Sequence, residues 1–309
     1  MAGQILEPEQ IAASAATPPF IHLPPAKLFS LRAARLETLA EGNPLGDYLR
    51  LVAGLCRAQQ QVLDNPPAMP ERDENRLEQS RKHGMPPLAA DTLVREDAWL
   101  TMLDALLKAY PTPDNPQVKA ALEQLKEADA GQRRAWAVLL LAGQYDGVPA
   151  AVVPFLGAGL QLAWSHWLLD LPEDSVTDIG SGGRCPCCGS PAMAGVIRHR
   201  GKHNGLRYLV CSLCACEWHF VRVKCTGCES TKGLEYVSLE TDKVTAEKAP
   251  LKAETCPSCK TYFKQVYLEL DADAEALSAD LASLALDMRL DAEGFQRQAP
   301  NLLLAPGGE

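Results

Sequence analysis

The chain has 309 residues, of which 47% are hydrophobic and 22% are charged, and its formal net charge is −9. This composition is typical of a globular protein and argues against a disordered chain. The first ten residues, MAGQILEPEQ, lack the basic start and apolar run of a secretory signal, so we expect a cytoplasmic location. In that reducing compartment, clustered cysteines are expected to bind metal or to act in catalysis rather than to form disulfides.

The first half of the chain has the pattern of an α-helical bundle. Residues 1–26 are rich in proline and alanine and predict an extended arm, whereas residues 27–176 carry apolar stripes of helical period. Residues 64–91 interrupt the stripes as a polar, proline-rich connection with at most one short helix. The uncharged segment 147–169 contains two prolines, and we interpret it as a buried helix rather than a membrane span. The positions expected on buried helical faces are Leu28, Leu31, Leu39, Tyr48, Val52, Leu55, Cys56, Trp99, Met102, Leu103, Leu106 and Tyr110.

β-strand patterns begin after a boundary at 175–184, where glycine and serine cluster. We expect two small β domains, at 183–224 and 225–270. The first contains Asn204–Gly205, a strong signal for a hairpin turn. The stretch EWHFVRVK, 217–224, is predicted to be a strand that joins the two domains.

The last part of the chain, 271–309, predicts a helix followed by a tail. Asp271 or Asp273 is the expected N-cap of that helix. Its expected buried face consists of Leu277, Leu281, Leu284 and Met288. The predicted fold class is therefore α+β, with a helical bundle domain, tandem rubredoxin-like or zinc-ribbon β domains and a C-terminal helix.

Four Cys-x-x-Cys pairs are the strongest chemical signal in the sequence. They are Cys185/Cys188, Cys211/Cys214, Cys225/Cys228 and Cys256/Cys259. The two sulfurs of such a knuckle converge, and two knuckles complete a tetrahedron, so the four pairs predict two mononuclear metal sites with four thiolates each. The hairpin between the first two knuckles favours pairing of consecutive knuckles, and an interleaved pairing is the alternative.

The sites accept zinc or a single iron ion, since an all-sulfur tetrahedron suits both, and the even spacing favours a mononuclear site over an iron–sulfur cluster. Cys187 and Cys216 are surplus to the four pairs, and we interpret them as spectators that could substitute as ligands. His219 is an alternative ligand that we interpret as structural or exposed. Because four thiolates leave no open position and no catalytic motif is present, the sequence predicts a binding protein rather than an enzyme.

The charge distribution raises an alternative function. Residues 184–264 contain thirteen Lys/Arg and seven Asp/Glu, a balance of +6. With Arg207, Tyr208 and Trp218 as candidate partner-binding residues, this region could be a nucleic-acid-binding zinc ribbon. However, eight thiolates with two divalent ions contribute a charge of −4, which offsets most of the excess and disfavours nucleic acid as a partner. A third hypothesis is that the protein is a rubredoxin-like electron carrier. The sequence does not indicate an oligomeric state.

Several motifs together resemble one known family, the formate dehydrogenase accessory proteins, also called FdhE. They are RCPCCGSP, GLRYLVCSLCACEWHFVRVKC with the TGC that follows it, CPSC, and DLASLALDM. The resemblance covers the C-terminal half closely and the N-terminal half in its helical character. Cys187 and Cys216 depart from the family pattern, which supports their interpretation as spectators.

The resemblance implies an α-helical domain followed by rubredoxin-like domains that carry iron at the eight paired cysteines. It also implies a function: a cytoplasmic, non-enzymatic factor that binds the catalytic subunit of respiratory formate dehydrogenase before export and helps to make it active.

Overall fold

The computed structural model describes residues 19–70, 73–172, 175–176, 178, 180, 182–199, 205–240 and 244–305. Ten α-helices occur in this part of the chain. They are α1 (Leu28–Ala40), α2 (Gly46–Asp64), α3 (Glu74–His83), α4 (Ala90–Leu93), α5 (Ala98–Ala109), α6 (Pro116–Glu127), α7 (Ala130–Leu141), α8 (Val153–Leu169), α9 (Ala276–Ala282) and α10 (Leu284–Ala292).

Eight β-strands of the described residues form one sheet. They are β1 (Ile21–His22), β2 (Ala192–Ile197), β3 (Arg207–Cys211), β4 (Glu217–His219), β5 (Glu235–Val237), β6 (Leu251–Cys256), β7 (Thr261–Tyr267) and β8 (Gln296–Arg297). Their order across the sheet is β1-β4-β3-β2-β7-β6-β5, and β8 pairs with β7. The predicted α+β class, helices first and strands after, is confirmed.

Helix α8 lies at the centre of the helical region, because apolar side chains cover its whole circumference. Fifteen of its seventeen residues are buried. Two glycines let neighbouring chain segments approach it: a Cβ at Gly157 would lie 2.0 Å from the carbonyl oxygen of Leu302, and one at Gly159 would lie 2.5 Å from Leu103. Among the described helices, α8 included, none has the length and apolar character that crossing a membrane requires.

The sheet consists of two antiparallel units joined edge to edge. Strands β2, β3 and β4 form the first unit, and β5, β6 and β7 form the second. The two units meet through parallel pairing of β2 with β7, in which Gly195 lies opposite Gln265. The two predicted β domains therefore share one sheet, and their relative orientation is set by backbone hydrogen bonds.

The two ends of the described chain each pack on the other half of the molecule. Near the N-terminus, Ile21 of β1 pairs with Trp218 of β4 at the edge of the sheet. Near the C-terminus, Leu302 and Leu303 are buried with the helical core, and the Tyr48 hydroxyl donates to the carbonyl oxygen of Leu303. Residues 1–18 of the predicted arm lie outside the described residues, as does Asn204 of the predicted hairpin turn.

Three local predictions in the helical parts of the chain are wrong. Leu31 is 56% exposed, because α1 turns Phe29 and Leu36 into the core instead. The connection 64–91 contains the ten-residue helix α3 as well as the start of α4. The predicted C-terminal helix is broken at Ser283 into α9 and α10, which leaves Met288 69% exposed.

Two further boundaries differ from the sequence-based expectation. The helix N-cap is Glu275, whose carboxylate accepts a hydrogen bond from the Ser278 N–H at 2.8 Å, and neither Asp271 nor Asp273 has this role. The strand expected at 217–224 ends at His219.

Candidate metal centres

The first and second knuckles form one cluster of four thiols, which we call the first centre. The sulfur atoms of Cys185 and Cys214 are 3.6 Å apart, and those of Cys188 and Cys211 are 3.4 Å apart. A tetrahedral site with metal–sulfur bonds of about 2.3 Å has sulfur–sulfur edges of roughly 3.8 Å. The four thiols are therefore close to the positions that one bound ion requires.

The third and fourth knuckles form an equivalent cluster, the second centre. The sulfurs of Cys225 and Cys259 are 3.7 Å apart, and those of Cys228 and Cys256 are 3.6 Å apart. In each cluster all four sulfurs lie within 4.8 Å of one another. Consecutive knuckles thus pair, as the hairpin spacing predicts, and the interleaved alternative is excluded by this geometry.

All four knuckles are followed by a residue in the left-handed region of backbone conformation. The residue after the second cysteine has a left-handed φ in each of them: 77° at Gly189, 58° at Ala215, 61° at Glu229 and 56° at Lys260. Only glycine adopts this region without strain, and other residues remain in it when the surrounding structure holds them there. Three of the four knuckles have a residue other than glycine at this position. The stabilisation gained by bringing the sulfurs together therefore outweighs the strain of the backbone there.

Backbone hydrogen bonds close these turns in the same way in the two centres. The Cys185 N–H donates to the Ser190 carbonyl at 2.9 Å, and the Gly189 N–H donates to the Cys185 carbonyl at 2.8 Å. In the second centre the Cys225 N–H donates to the Ser230 carbonyl at 2.8 Å. The backbone N–H and the carbonyl of the first cysteine are therefore both hydrogen-bonded in these knuckles.

The acidity of the second-centre thiols depends on burial and on nearby backbone N–H groups. Burial raises the pKa of Cys225 to about 12, although the Gly227 N–H points at its sulfur from 3.4 Å. Burial also opposes ionisation of Cys256, but the N–H groups of Cys259 and Ser258 outweigh it and lower its pKa to about 7. Metal binding here must displace protons from thiols, so it releases acid.

The two centres differ in access to solvent. All four paired cysteines of the first centre are buried. In the second centre Cys228 is exposed and Cys259 is half-buried. A chelator or a partner protein can therefore approach the second centre directly, whereas the first is covered by protein.

The cover over the first knuckle is the segment that enters helix α4. The Leu88 N–H donates to the carbonyl of Cys187, and the Ala90 N–H donates to the carbonyl of Cys188, both at 2.9 Å. The Trp164 indole of α8 in turn donates to the Leu88 carbonyl at 3.0 Å. The helical region is thus hydrogen-bonded to the knuckle backbone itself.

The second knuckle of the first centre is also bonded to the helical region. The side-chain amide of Gln161, buried on α8, donates to the carbonyl of Ser212 at 2.9 Å. Ser212 lies inside the second knuckle, next to Cys211. Both knuckles of the first centre are therefore held by groups from the helices.

A buried charge network supports the strand that follows the fourth knuckle. Lys264 of β7 forms ion pairs with Asp280 of α9 at 3.2 Å and with Asp287 of α10 at 2.5 Å, and Arg297 also pairs with Asp280. Burial opposes ionisation of Asp280, but the two cations outweigh it and lower its pKa to about 2. The break between α9 and α10 brings both carboxylates to the same lysine.

The three residues proposed from sequence as partner contacts are instead buried, and this prediction is corrected. Arg207 has no exposed surface, since its guanidinium pairs with the buried Glu254 at 3.1 Å. Its second Nη donates to the carbonyl of Val221 at 2.7 Å and also to that of Lys224. The arginine holds the segment between the two centres in place rather than facing a partner.

Tyr208 and Trp218 have structural partners of the same kind. The Tyr208 hydroxyl donates to the carbonyl of Pro19 at 2.9 Å, and the Trp218 indole donates to that of Gly182 at 3.1 Å. His219 is half-buried beside the Tyr208 ring, with burial lowering its pKa, and it belongs to neither thiol cluster. The tyrosine and the tryptophan therefore fix neighbouring chain segments on the sheet.

Sequence reasoning missed the position of the two surplus cysteines. Cys187 and Cys216 lie within 4.8 Å of the Cys185 sulfur and of each other, and both are fully buried. The sequence did contain a signal for this cluster, because Cys187 lies between two knuckle cysteines and Cys216 lies two residues after another. The first centre is therefore part of a larger pocket of six thiols.

The all-thiolate donor sets fit the two metals expected from sequence. Zinc and a single iron ion both accept four thiolates in a tetrahedron, and among the residues that the structure describes no carboxylate or histidine belongs to the clusters. The eight paired cysteines would hold one ion in each centre, closed to further ligands.

The chain is similar along its length to proteins of one known family. Sequence models of the FdhE family match it in three consecutive parts: the N-terminal model at residues 17–181, the central domain at 184–222 and the C-terminal domain at 223–304. Together they cover nearly the whole chain.

Curated relatives are similar over nearly their full length. A protein named FdhE homolog from Pseudomonas aeruginosa is 64% identical over 309 residues, which is 100% of both chains. One from Cronobacter sakazakii is 39% identical over 94% of this chain and 92% of its own. The crystal structure of the FdhE protein from Pseudomonas aeruginosa matches with a TM-score of 0.89 and 62% identity, covering 94% of this chain and 100% of that one.

Proposed function

Because this chain belongs to the FdhE family, we propose that it is a non-enzymatic accessory factor for the maturation of respiratory formate dehydrogenase. It binds the catalytic subunit of that enzyme in the cytoplasm, before export. The observation that carries the proposal is the pair of closed four-thiol clusters within a fold of this family. Four thiolates per ion leave no position for a substrate, so the centres serve structure and recognition rather than catalysis.

In this proposal the four paired cysteines of each centre hold one metal ion. The resemblance to the family favours iron, and zinc fits the same ligands. The bound ion supplies a rigid cross-link between two knuckles whose own cores are small. Formation of such sites contributes folding free energy, so the β units depend on their metal.

We place the contact with the catalytic subunit on the exposed side of the second centre. Val221 and Val223 are 58% and 55% exposed, which is unusual for valine, and Tyr236 is 42% exposed. Arg207 donates a hydrogen bond to the Val221 carbonyl and pairs with Glu254, and Glu254 accepts a hydrogen bond from the Tyr236 hydroxyl. Val221 and Tyr236 are therefore both held by the same buried ion pair. We call Val221, Val223 and Tyr236 the client patch.

The nucleic-acid alternative loses much of its basis in the structure. Two of the basic residues that gave the region its positive balance, Arg207 and Lys264, are buried in ion pairs with carboxylates. Buried cations cannot contact phosphates or release counterions from them. An electron carrier is disfavoured for the first centre, whose paired thiols are all buried.

Affinity capture tests the proposal. The tagged full-length protein is expressed in cells that are making formate dehydrogenase, and captured proteins are identified by mass spectrometry. We expect the dehydrogenase catalytic subunit, with its recovery lost in a Val221→Asp/Val223→Asp variant. Leu31→Asp is the matched control, since Leu31 is a comparably exposed aliphatic residue on α1. Capture of nucleic acid in a salt-sensitive manner, without the subunit, would refute the accessory role.

A further inference from the structure

The six-thiol pocket of the first centre contains more ligands than one tetrahedral ion uses. Cys187 and Cys216, with Cys185, form a second triad of sulfurs within 4.8 Å of one another. Cys185 belongs to both groups, since its sulfur also lies 3.6 Å from that of Cys214. All the thiols of the triad are fully buried, so the group faces the protein interior.

The second centre provides an internal reference for these two positions. Cys187 is the third residue of its knuckle, and Gly227 has that place in the second centre. The Cys216 carbonyl accepts a hydrogen bond from the N–H of Cys211, the first cysteine of the second knuckle. In the second centre, Thr261 is paired with Cys256, the first cysteine of the fourth knuckle, and therefore has the corresponding position. The chain therefore has the same pair of positions in both centres but thiols in only one.

These two positions face each other in the second centre as well. A Cβ at Gly227 would lie 3.8 Å from the Thr261 hydroxyl oxygen. That hydroxyl in turn lies 3.1 Å from the sulfur of Cys259. The backbone of a knuckle pair thus places these two residues side by side next to a ligand thiol, whatever their side chains are.

We propose that this six-thiol pocket binds two metal ions, with the Cys185 thiolate bridging them. One ion is held by the four paired cysteines, and the second is held by Cys187, Cys216 and the shared Cys185 sulfur. A thiolate sulfur has lone pairs for two metal ions. Soft, thiophilic ions of the zinc group are the class this donor set selects.

The charge balance allows a second ion in a buried pocket. One divalent ion with four thiolates has a net charge of −2. Binding the second divalent ion replaces the protons of the Cys187 and Cys216 thiols, which leave to solvent. The added ion of +2 and two new thiolates of −2 sum to zero, so no further net charge is buried.

Metal stoichiometry tests this inference, which goes beyond the proposed function and does not depend on any client. The reduced full-length chain is loaded with zinc alone, and zinc per chain is counted by elemental mass spectrometry. Two centres with one extra ion give three zinc ions per chain. X-ray absorption at the zinc edge is expected to contain a zinc–zinc vector from the bridged pair.

The matched variant is Cys187→Gly/Cys216→Thr, which introduces the residues found at the corresponding positions of the second centre, Gly227 and Thr261. It should bind two zinc ions and lose the zinc–zinc vector, while Cys56→Ala, which removes a remote buried thiol, keeps three. The inference is overturned if the reduced wild-type chain binds only two zinc ions and its absorption spectrum contains no zinc–zinc vector. Because the vector is read in the wild-type chain, the test stands even if the double variant fails to fold.

Discussion

The backbone N–H of Leu88 donates a hydrogen bond to the carbonyl oxygen of Cys187, with nitrogen and oxygen 2.9 Å apart. Leu88 belongs to the helical half of the chain, and Cys187 lies between two thiols of the first centre. If loss of metal changes the backbone of the knuckle, this hydrogen bond transmits the change directly to the helical region. Metal occupancy of the first centre and helix packing should be thermodynamically linked.

Replacing Gln161 by leucine should weaken this linkage. The change leaves the Ser212 carbonyl of the second knuckle without its buried donor, a loss of about 1–3 kcal/mol. We expect faster release of metal from the first centre to a chelator, together with a lower free energy of unfolding. Gln59→Leu is the control, because Gln59 is equally buried but donates within the helical region, to Ala158 at 2.8 Å. Equal metal release from both variants would contradict the linkage.

Chelator treatment should remove metal in two phases. Cys228 is exposed in the second centre, whereas all paired cysteines of the first are buried, so the second centre should lose its ion first. A Cys225→Ser/Cys228→Ser variant should lack the fast phase and keep the slow one. A single phase in the wild-type chain, measured by the release of metal over time, would show that both centres open together.

Acid stability should depend on Asp280. Its pKa of about 2 in the folded chain lies below the ordinary value of 3.8. A depressed pKa contributes stability that is complete above pH 3.8 and is lost as the pH falls toward 2, and the amount is about 2 kcal/mol. Asp280→Asn should remove this pH dependence and cost about 3–5 kcal/mol at neutral pH, since Lys264 and Arg297 lose a buried partner.

The matched control for this variant is Asp291→Asn, at an exposed carboxylate of α10. Denaturant unfolding at several pH values between 2 and 7 measures both. A similar loss of stability in the two variants would contradict the assigned role of the buried network.

Relief of backbone strain at Ala215 should stabilise the metal-loaded protein. Ala215 has a φ of 58° after the second knuckle, and a non-glycine residue in this region costs about 1 kcal/mol or more. We expect Ala215→Gly to gain up to about 1 kcal/mol, reduced by the greater freedom of glycine in the unfolded chain. Ala215→Val should have the opposite sign, because a β-branched residue fits this region worst. Equal thermal midpoints for both variants would refute the strain argument.

The sequence predicted the thiol groups and their pairing, because Cys-x-x-Cys spacing and the hairpin between knuckles are local features. It did not predict that Arg207 is buried, since the neutralising Glu254 lies 47 residues further along the chain. A basic or aromatic residue looks available to a partner until its long-range contacts are known. The same limit applies to Tyr208, which bonds to Pro19 across 189 residues.

The broken C-terminal helix has a comparable explanation. The apolar period continues through Leu284 and Met288, so the sequence predicts one helix. Instead the chain turns at Ser283, whose hydroxyl accepts a hydrogen bond from Lys264 Nζ at 2.9 Å. The lysine belongs to β7, and its need for several oxygen partners outweighs the local helical pattern.

The reciprocal packing of the chain ends has a consequence for synthesis on the ribosome. The carbonyl oxygen of Leu302 lies 2.0 Å from the position that a Cβ on Gly157 would take, so helix α8 is in direct contact with a segment that is synthesised after all four knuckles. During translation the nascent helical region has no such cover and stays incomplete until the tail emerges. Burial of helix α8 is therefore expected to be completed only after Leu302 has left the ribosome, and a chain truncated before Leu302 should remain dependent on chaperones even though all eight paired cysteines are present.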